Sequence, residues 1–533
     1  MVISARQHFS VTTPLYYVNG LPHIGSAYTT MAADVLARFH RLQGQDVLLI
    51  TGTDEHGQKI QRAAEQLHRD PQVHCDEIAA AFQSLWQQLN IQYDRFSRTT
   101  SERHSVIVKD FFQRVWDKGD IYLSQQQGWY CVECEEFKEV RDLLPENKCP
   151  IHSNRAVEWR DEQNYFFRLS RYQAALEGHY ATHPTFIQPD IRRNEVLSFV
   201  SQGLQDFSIS RVNVTWGIPV PADPTHTLYV WFDALLGYIT ALLKPDAEPS
   251  LDHALANGWP IDLHLIGKDI LRFHAVYWPA MLLSAGLPLP EGIFSHGFLT
   301  KDGQKMGKSL GNTLDPLDLV QRYGADAVRY YFLKEIEFGR DGDFSETRFI
   351  HILNADLAND LGNLLNRTLK MAVKYWQGKV PELDMQTIPE DWLLVQQAQH
   401  AGEQATHAYL SLRFSEACEV ALNLVRRGNK FIDEQAPWTL YKTGNLDTAN
   451  QVLYAVLESV RLAAYLLSPV IPHLSTKIYQ QLGYNIDFNQ SESLARSMPH
   501  QIHSQWGALP SGQVLGQPEP VFQKLPLLET AVV

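Results

Sequence analysis

The stretch from Phe9 to Leu42 constrains this chain most. An apolar run from Phe9 to Leu15 leads into Tyr16-Tyr17-Val18-Asn19-Gly20-Leu21-Pro22-His23-Ile24-Gly25-Ser26, and a helical pattern follows from Thr29 to Leu42. Strand, tight turn and helix in that order open a parallel α/β sheet, and nucleotides bind where such a first strand ends. The helix behind the turn directs its positive end and free N–H groups at a phosphate. Gly25 lets backbone approach a ligand closely, and His23 carries a ring N–H for a phosphoryl oxygen. Taken alone, the segment is a weak signal and reads more readily as a histidine satisfied within its own turn. A second segment shifts the balance: Lys301-Asp302-Gly303-Gln304-Lys305-Met306-Gly307-Lys308-Ser309 is a glycine-bearing loop whose Lys305 and Lys308 can neutralise a migrating polyphosphate.

Together the two segments resemble the signature motifs of the class I aminoacyl-tRNA synthetases, His-Ile-Gly-His and Lys-Met-Ser-Lys-Ser. Each differs at one position. Gly307 stands where the family usually has serine, and both residues suit a mobile loop. Ser26 stands where the family usually has a second histidine; it donates a hydroxyl hydrogen bond but carries no imidazolium charge. The resemblance assigns ATP binding to His23, Gly25, Ser26, Lys305 and Lys308, with His23, Lys305 and Lys308 acting on the reacting phosphates.

At 533 residues the chain is too long for one core, and three or four units are expected. Hydrophobic content of 44% and charged content of 20% describe an ordinary soluble protein. The N-terminus lacks an apolar leader core and no window approaches a spanning helix, so a cytoplasmic location without membrane attachment is expected. A net charge of −14 argues against a general polyanion binder. Local basic patches such as Arg367 with Lys370, and Arg426-Arg427 with Lys430, still leave room for a tRNA.

Up to about Trp116 strands and helices alternate, with Asp46–Ile50 as a short buried strand and Thr51-Gly52-Thr53-Asp54-Glu55-His56-Gly57 as a polar turn on the same rim as the first. Asp54 there reads either as an anchor for a cationic amino group or as the N-cap of a helix from Lys59. From Lys118 to Tyr229 the alternation breaks. Cys131-Val132-Glu133-Cys134 and Cys149-Pro150-Ile151-His152 have the spacing of a zinc knuckle, two tight pairs converging on one tetrahedral ion. Four protein ligands leave no open position, so one structural Zn2+ is expected; four reduced surface residues are the alternative. Cys75 and Cys418 lie isolated in helical patterns and read as buried small apolar residues.

Tyr229-Val230-Trp231-Phe232-Asp233-Ala234-Leu235-Leu236-Gly237-Tyr238 is expected to re-enter the sheet, and His264 to Asp269 to add another strand end. Trp231 and Tyr238, with Tyr17 and with His296 from Ser295-His296-Gly297-Phe298, would build an apolar pocket with one polar handle. Sulfur–aromatic contacts, worth roughly 0.3 to 1.5 kcal/mol each, suit a thioether. Core packing is the plainer reading of the two large aromatics.

The order of all these segments resembles the methionyl branch of the class I family over nearly the whole chain. That resemblance implies a methionine site at Leu15, Tyr17, Asp54, Trp231, Ala234, Leu235, Tyr238 and His296, with Asp54 on the ammonium. It implies anticodon contacts at Asn363, Arg367 and Trp438, Mg2+ entering with ATP, and a methionine tRNA as partner. The fold it implies is α/β: a Rossmann-type parallel sheet in two halves (1–116 and 230–297), an inserted zinc-knuckle domain (117–229), a lysine-loop joining domain (298–350) and an α-helical bundle with a C-terminal arm (351–533). Helical periodicity from Phe349, broken near Gly378–Pro389, Pro437 and Gly444, agrees with the bundle. Asn363 and Arg367, four apart, share a helix face, and Trp438 can stack an unpaired base; helix packing or capping is the alternative for each. With no appended OB-type domain after the arm, a monomer is expected.

Two rivals remain at this stage. A cysteinyl-type synthetase would bring its zinc ligands to the substrate pocket, whereas here they cluster in the insertion. A tRNA-binding relative without synthetase activity would make Ser26 its first sign of decay.

Overall fold

The computed structural model describes residues 8–527 apart from 133–135, 139, 151–155, 213, 307–311, 491–493 and 495–497, and only the backbone of Asp142 and Lys305. Six strands form the central sheet: β1 (His8–Tyr17), β2 (Asp46–Asp54), β3 (Arg95–Arg98), β4 (Ile187–Gln188), β5 (Leu263–Gly267) and β6 (Ile293–His296). Their order is β3-β2-β1-β5-β6-β4, and every pair is parallel. Strand order reverses between β1 and β5, the point at which such sheets bind ligands. The edge strand β4 comes from within 117–229, so part of the expected insertion belongs to the sheet.

Pro14 shapes that switch point. It has no N–H to give to a neighbouring strand. β1 pairs with β5 only at Val11 opposite Leu263 and Thr12 opposite His264, and its register with β2 slips between Thr12 and Leu15. Beyond the slip β1 stays with β2 as far as Tyr17 opposite Asp54, while β5 stays with β6 as far as Gly267 opposite His296. The carboxyl ends of β1 and β5 therefore separate and leave a crevice.

Two sequence expectations are corrected here. β2 runs on through Thr51–Asp54, which had read as a turn. The Tyr229–Tyr238 segment forms no strand: Val230–Ala234 and Gly237–Thr240 are short helices packed beneath the sheet. Tertiary packing buries Tyr229, Val230, Phe232 and Tyr238 and half-buries Trp231, and burial outweighs strand propensity.

Helix α1 (Ile24–Leu42) is buried along its entire length except at Gly25. It carries polar residues all the same, because they find partners across domains. Asp34 Oδ2 takes Arg38 Nε at 2.8 Å and Arg329 Nη2 at 2.6 Å, and Asp34 Oδ1 accepts the Gln92 N–H. Arg329, from the joining helix Ala325–Glu335, also donates to the carbonyls of Pro469 and Val470, and Arg38 donates to those of Asn90 and Phe488. Sheet, joining region and bundle thus share one hydrophobic core with an ionic knot inside it.

The insertion is a long antiparallel arm in which Ile121–Cys131 pairs with Glu158–Phe167. The bundle is built from Asn363–Trp376, Leu393–Leu410, Phe414–Gln435 and a central, almost wholly buried Leu446–Leu467. Its breaks fall as expected: Pro437 opens a helix and Gly444 closes it in the left-handed region. The C-terminal arm lies on the bundle, where Glu458 accepts the N–H groups of Gly507, Ala508 and Leu509. Among the described residues no helix is long and apolar enough to cross a membrane.

Candidate active site

At the mouth of the crevice His23 is the N-cap of α1. Its Nδ1 accepts the Gly25 N–H at 3.1 Å, so in the neutral ring the proton sits on Nε2. Gly25 is required by this arrangement for a local reason: a Cβ there would lie 3.0 Å from both Nδ1 and Cε1 of the His23 ring. Ser26 completes a reciprocal capping box, accepting the His23 N–H at 3.2 Å and donating to the His23 carbonyl at 2.7 Å. Its hydroxyl is turned into the helix cap and the residue is buried, whereas His23 is exposed at the rim.

The crevice wall on the β1–β2 side carries Leu15, Tyr17 and Asp54. Asp54 is buried, and it is not a helix cap: the next helix, Gln58–Gln66, has Gly57 at its N-cap. Glu55 beside it is held by a two-pronged contact from Arg98 at 2.7 and 2.9 Å. Leu15 reaches across to Gly237, where an added Cβ would lie 2.2 Å from its Cδ1. Trp231 and Ala234 lie on the short helix Val230–Ala234, Leu235 follows it, and Tyr238 lies on the helix Gly237–Thr240 against which Leu15 packs. Burial drives the Tyr238 phenol pKa well up, with lesser contributions from Tyr16 and the nearby Asp54 carboxylate.

The histidine joined to these aromatics is His274, not His296. His274 Nε2 accepts the Tyr238 hydroxyl at 2.7 Å while its Nδ1–H donates to the Ile270 carbonyl at 3.0 Å. Trp231 lies edge-on to it and stacks on Phe273 at 3.9 Å. Burial lowers the His274 pKa to about 4, so the ring is neutral at physiological pH. His296 stands at the end of β6, its Nδ1–H on the Gly297 carbonyl and its Nε2 accepting from Thr29 of α1 at 2.6 Å. It too is neutral, lowered by burial to about 4. Phe273 and His274 escaped the sequence reading; their signal was an aromatic cluster, Phe273-His274-Ala275-Val276-Tyr277-Trp278, just beyond a strand that ends at the crevice.

Comparison with known proteins now bears on this geometry. A family model described as tRNA synthetases class I (M) matches residues 9–156 and 138–369, and one described as the anticodon binding domain of methionyl tRNA ligase matches 380–529. The chain is 69% identical over 523 residues to a methionine–tRNA ligase of Thermosynechococcus vestitus, covering 98% of each, and 67% identical over 525 residues to one of Nostoc, again covering 98% of each. The chain belongs to the methionyl-tRNA synthetase family. A solved family structure, the Mycobacterium tuberculosis methionyl-tRNA synthetase in complex with methionyl-adenylate, superposes with a TM-score of 0.89 at 41% identity, covering 97% of this chain and 100% of that one.

The remaining site residues expected of a methionyl-tRNA synthetase fall in three places. Lys305 ends a hairpin, Leu299–Lys301 with Gln304–Lys305, whose turn residues Asp302 and Gly303 have φ of 50° and 75°. That is the primed turn an Asp-Gly pair favours. The hairpin root is tied to the crevice by Lys268, just beyond β5, which binds both carboxylate oxygens of Asp341 at 2.7 Å. Lys308 lies outside the described residues. In the arm, Cys131 and Cys149 are buried in one small cluster with Val157; Cys134 and His152 lie outside the described residues. On the bundle, Asn363 and Arg367 share a helix, and the Arg367 guanidinium lies 5.9 Å from the Trp438 ring, which is 41% exposed. Asp433 pairs with Arg367 at 3.0 Å.

Proposed function

We infer that this chain is an ATP-dependent methionine–tRNA ligase: it activates L-methionine to methionyl adenylate, releasing pyrophosphate, and transfers methionine to the 3′-terminal adenosine of initiator and elongator methionine tRNAs. The observation that carries this is the parting of β1 from β5, with a capped helix N-terminus after β1, the buried Asp54 carboxylate at the end of β2 and an uncharged aromatic cluster nearby. The helix end and His23 suit the reacting phosphates, and Asp54 suits the ammonium group. Trp231 and Tyr238, with Leu15, Tyr17, Ala234, Leu235 and the neutral His296, suit a thioether, because they offer apolar and polarisable faces and no charge that would favour a polar side chain, and neutral His274 holds the Tyr238 hydroxyl.

The protein is asked for little covalent chemistry, so positioning and preorganised charge supply the rate enhancement. The methionine carboxylate attacks the α-phosphorus of ATP, brought in with Mg2+. His23 binds the reacting phosphates, and Lys305 and Lys308 stabilise the departing pyrophosphate. Asn363, Arg367 and Trp438 read unpaired anticodon bases; the exposed Trp438 with Arg367 beside it makes a stacking platform, worth roughly 1 to 3 kcal/mol per base. A structural zinc belongs at Cys131, Cys134, Cys149 and His152. The two described thiols fit it, buried together among apolar neighbours where a bound metal stabilises thiolate. The protein works as a cytoplasmic monomer.

The deciding experiment is amino-acid-dependent exchange of labelled pyrophosphate into ATP without tRNA. Exchange confined to methionine is expected; exchange with another amino acid overturns the pocket, and none at all from folded protein overturns the activity.

A further inference from the structure

Behind the aromatic pocket lies a buried carboxylate that the proposed chemistry does not use. Asp233 is fully buried, two residues after Trp231 and five before Tyr238. Its Oδ2 takes His56 Nδ1 at 2.6 Å and its Oδ1 takes His104 Nε2 at 2.6 Å. His104, itself fully buried, bonds through its other nitrogen to Thr240 Oγ1 at 2.8 Å. His56 is two residues beyond Asp54 and rests against Trp216, whose indole N–H donates to the Glu55 carbonyl at 2.6 Å.

We propose that Asp233 is a positioning residue for the amino acid: through His56, two residues beyond Asp54 at the end of β2, it fixes the span between that strand end and the helices that carry Trp231 and Tyr238, and through His104 it holds those helices on helix Glu102–Asp117. The inference rests on methionine being the amino acid activated. Both oxygens of Asp233 face imidazole donors and neither reaches the crevice, so it acts through its neighbours. Burial works to raise the Asp233 pKa, and the two imidazoles overcome it and hold the group at about 2. A charge kept in such a place fixes geometry more than it adds stability. The ammonium anchor and the thioether wall lie on separate segments, and a small change in their spacing weakens the ground state and transition state alike. Loss of the clamp is therefore a loss of uniform binding, which raises KM and spares kcat.

The test exploits the two ring nitrogens. An asparagine amide nitrogen occupies the place of histidine Nδ1, and a glutamine amide nitrogen that of Nε2. Pyrophosphate exchange is measured on the full chain for Asp233→Asn, for His56→Asn, Gln and Ala, and for His104→Gln, Asn and Ala. Asp233→Asn is expected to raise KM for methionine by about tenfold, with kcat within about threefold and KM for ATP unchanged. His56→Asn and His104→Gln are expected within about threefold of the wild type, and the opposite amides to behave like alanine. If Asp233→Asn does not fold, the histidine series decides alone. An unshifted KM, a loss in kcat instead, or equal failure of Asn and Gln at position 56 overturns the clamp. Wild-type protein without methionine-dependent exchange overturns the functional reading and the clamp with it.

Discussion

Gly25→Ala separates the stability of helix α1 from the chemistry at its tip. The new methyl would lie 3.0 Å from Nδ1 and Cε1 of His23. Comfortable contact needs about 3.5 Å, so the exposed ring must retreat by about 0.5 Å, and its far Nε2 swings by on the order of 1 Å. The Gly25 N–H to Nδ1 bond is lost with it, at about 0.5 to 2 kcal/mol for an N-cap. Gly25 does not occupy the left-handed region, so alanine recovers about 1 kcal/mol of helix propensity at this second helical position. The two effects offset, and the unfolding free energy should change by less than about 1 kcal/mol. The reaction is not so protected: a misplacement near 1 Å at a group that orients the phosphates costs about 100-fold. Pyrophosphate exchange and denaturant unfolding, run on the same preparation, give both numbers. Exchange within about threefold of the wild type would refute the reasoning, because His23 orientation would then not matter. A large loss in both would assign Gly25 to folding.

Other outcomes can be checked alongside. Lys308→Ala should depress the rate of adenylate formation far more than methionine binding, since its charge is needed as pyrophosphate leaves; stopped-flow activation with a separate methionine titration distinguishes the two. Trp438→Ala should weaken tRNA charging while leaving tRNA-free exchange intact, and impaired exchange would assign Trp438 to the bundle core. Buried His274 and His296, lowered to about 4 against an ordinary 6.5, stay neutral in the folded chain while the unfolded chain takes up protons. Stability should therefore be at its plateau above pH 6.5 and fall as pH drops towards 4, by up to about 1.4 kcal/mol per pH unit for each ring; unfolding titrations at pH 7, 6 and 5 test the slope. Purified protein should hold one zinc per chain by elemental analysis, and Cys149→Ser should release it and loosen the arm to proteolysis before the sheet melts.

What was legible in the sequence follows the range of the interactions involved. The turn at His23 and Gly25 is a local device, completed within four residues by its own cap, and its motif carried the fold class. Pro437 and Gly444 marked their helix boundaries for the same reason. The 229–238 segment misled because Val230, Trp231 and Phe232 favour strands by propensity, and only contacts with distant segments bury them as helix. His274 was missed because its partner Tyr238 lies 36 positions away, whereas His296 stands in a conspicuous Ser-His-Gly sequence. Helix α1 shows the same limit: groups that pair with its buried Asp34, Arg38 and Arg41 come from as far away as 94, 329 and 488.

That ionic knot has a consequence for how the molecule can be divided. A cut after the first bundle helix looks natural, since the two matching family models meet between residues 369 and 380. In the folded chain the cut would strip the Pro469 and Val470 carbonyls from Arg329 and the Phe488 carbonyl from Arg38, leaving two guanidinium groups facing one carboxylate with three of their acceptors gone. A catalytic fragment would have to rebuild the floor beneath α1 before its tip could hold His23 in register. The part that reads the tRNA is thus also masonry for the part that activates the amino acid, and neither can be exchanged for a foreign module without recarving the joint.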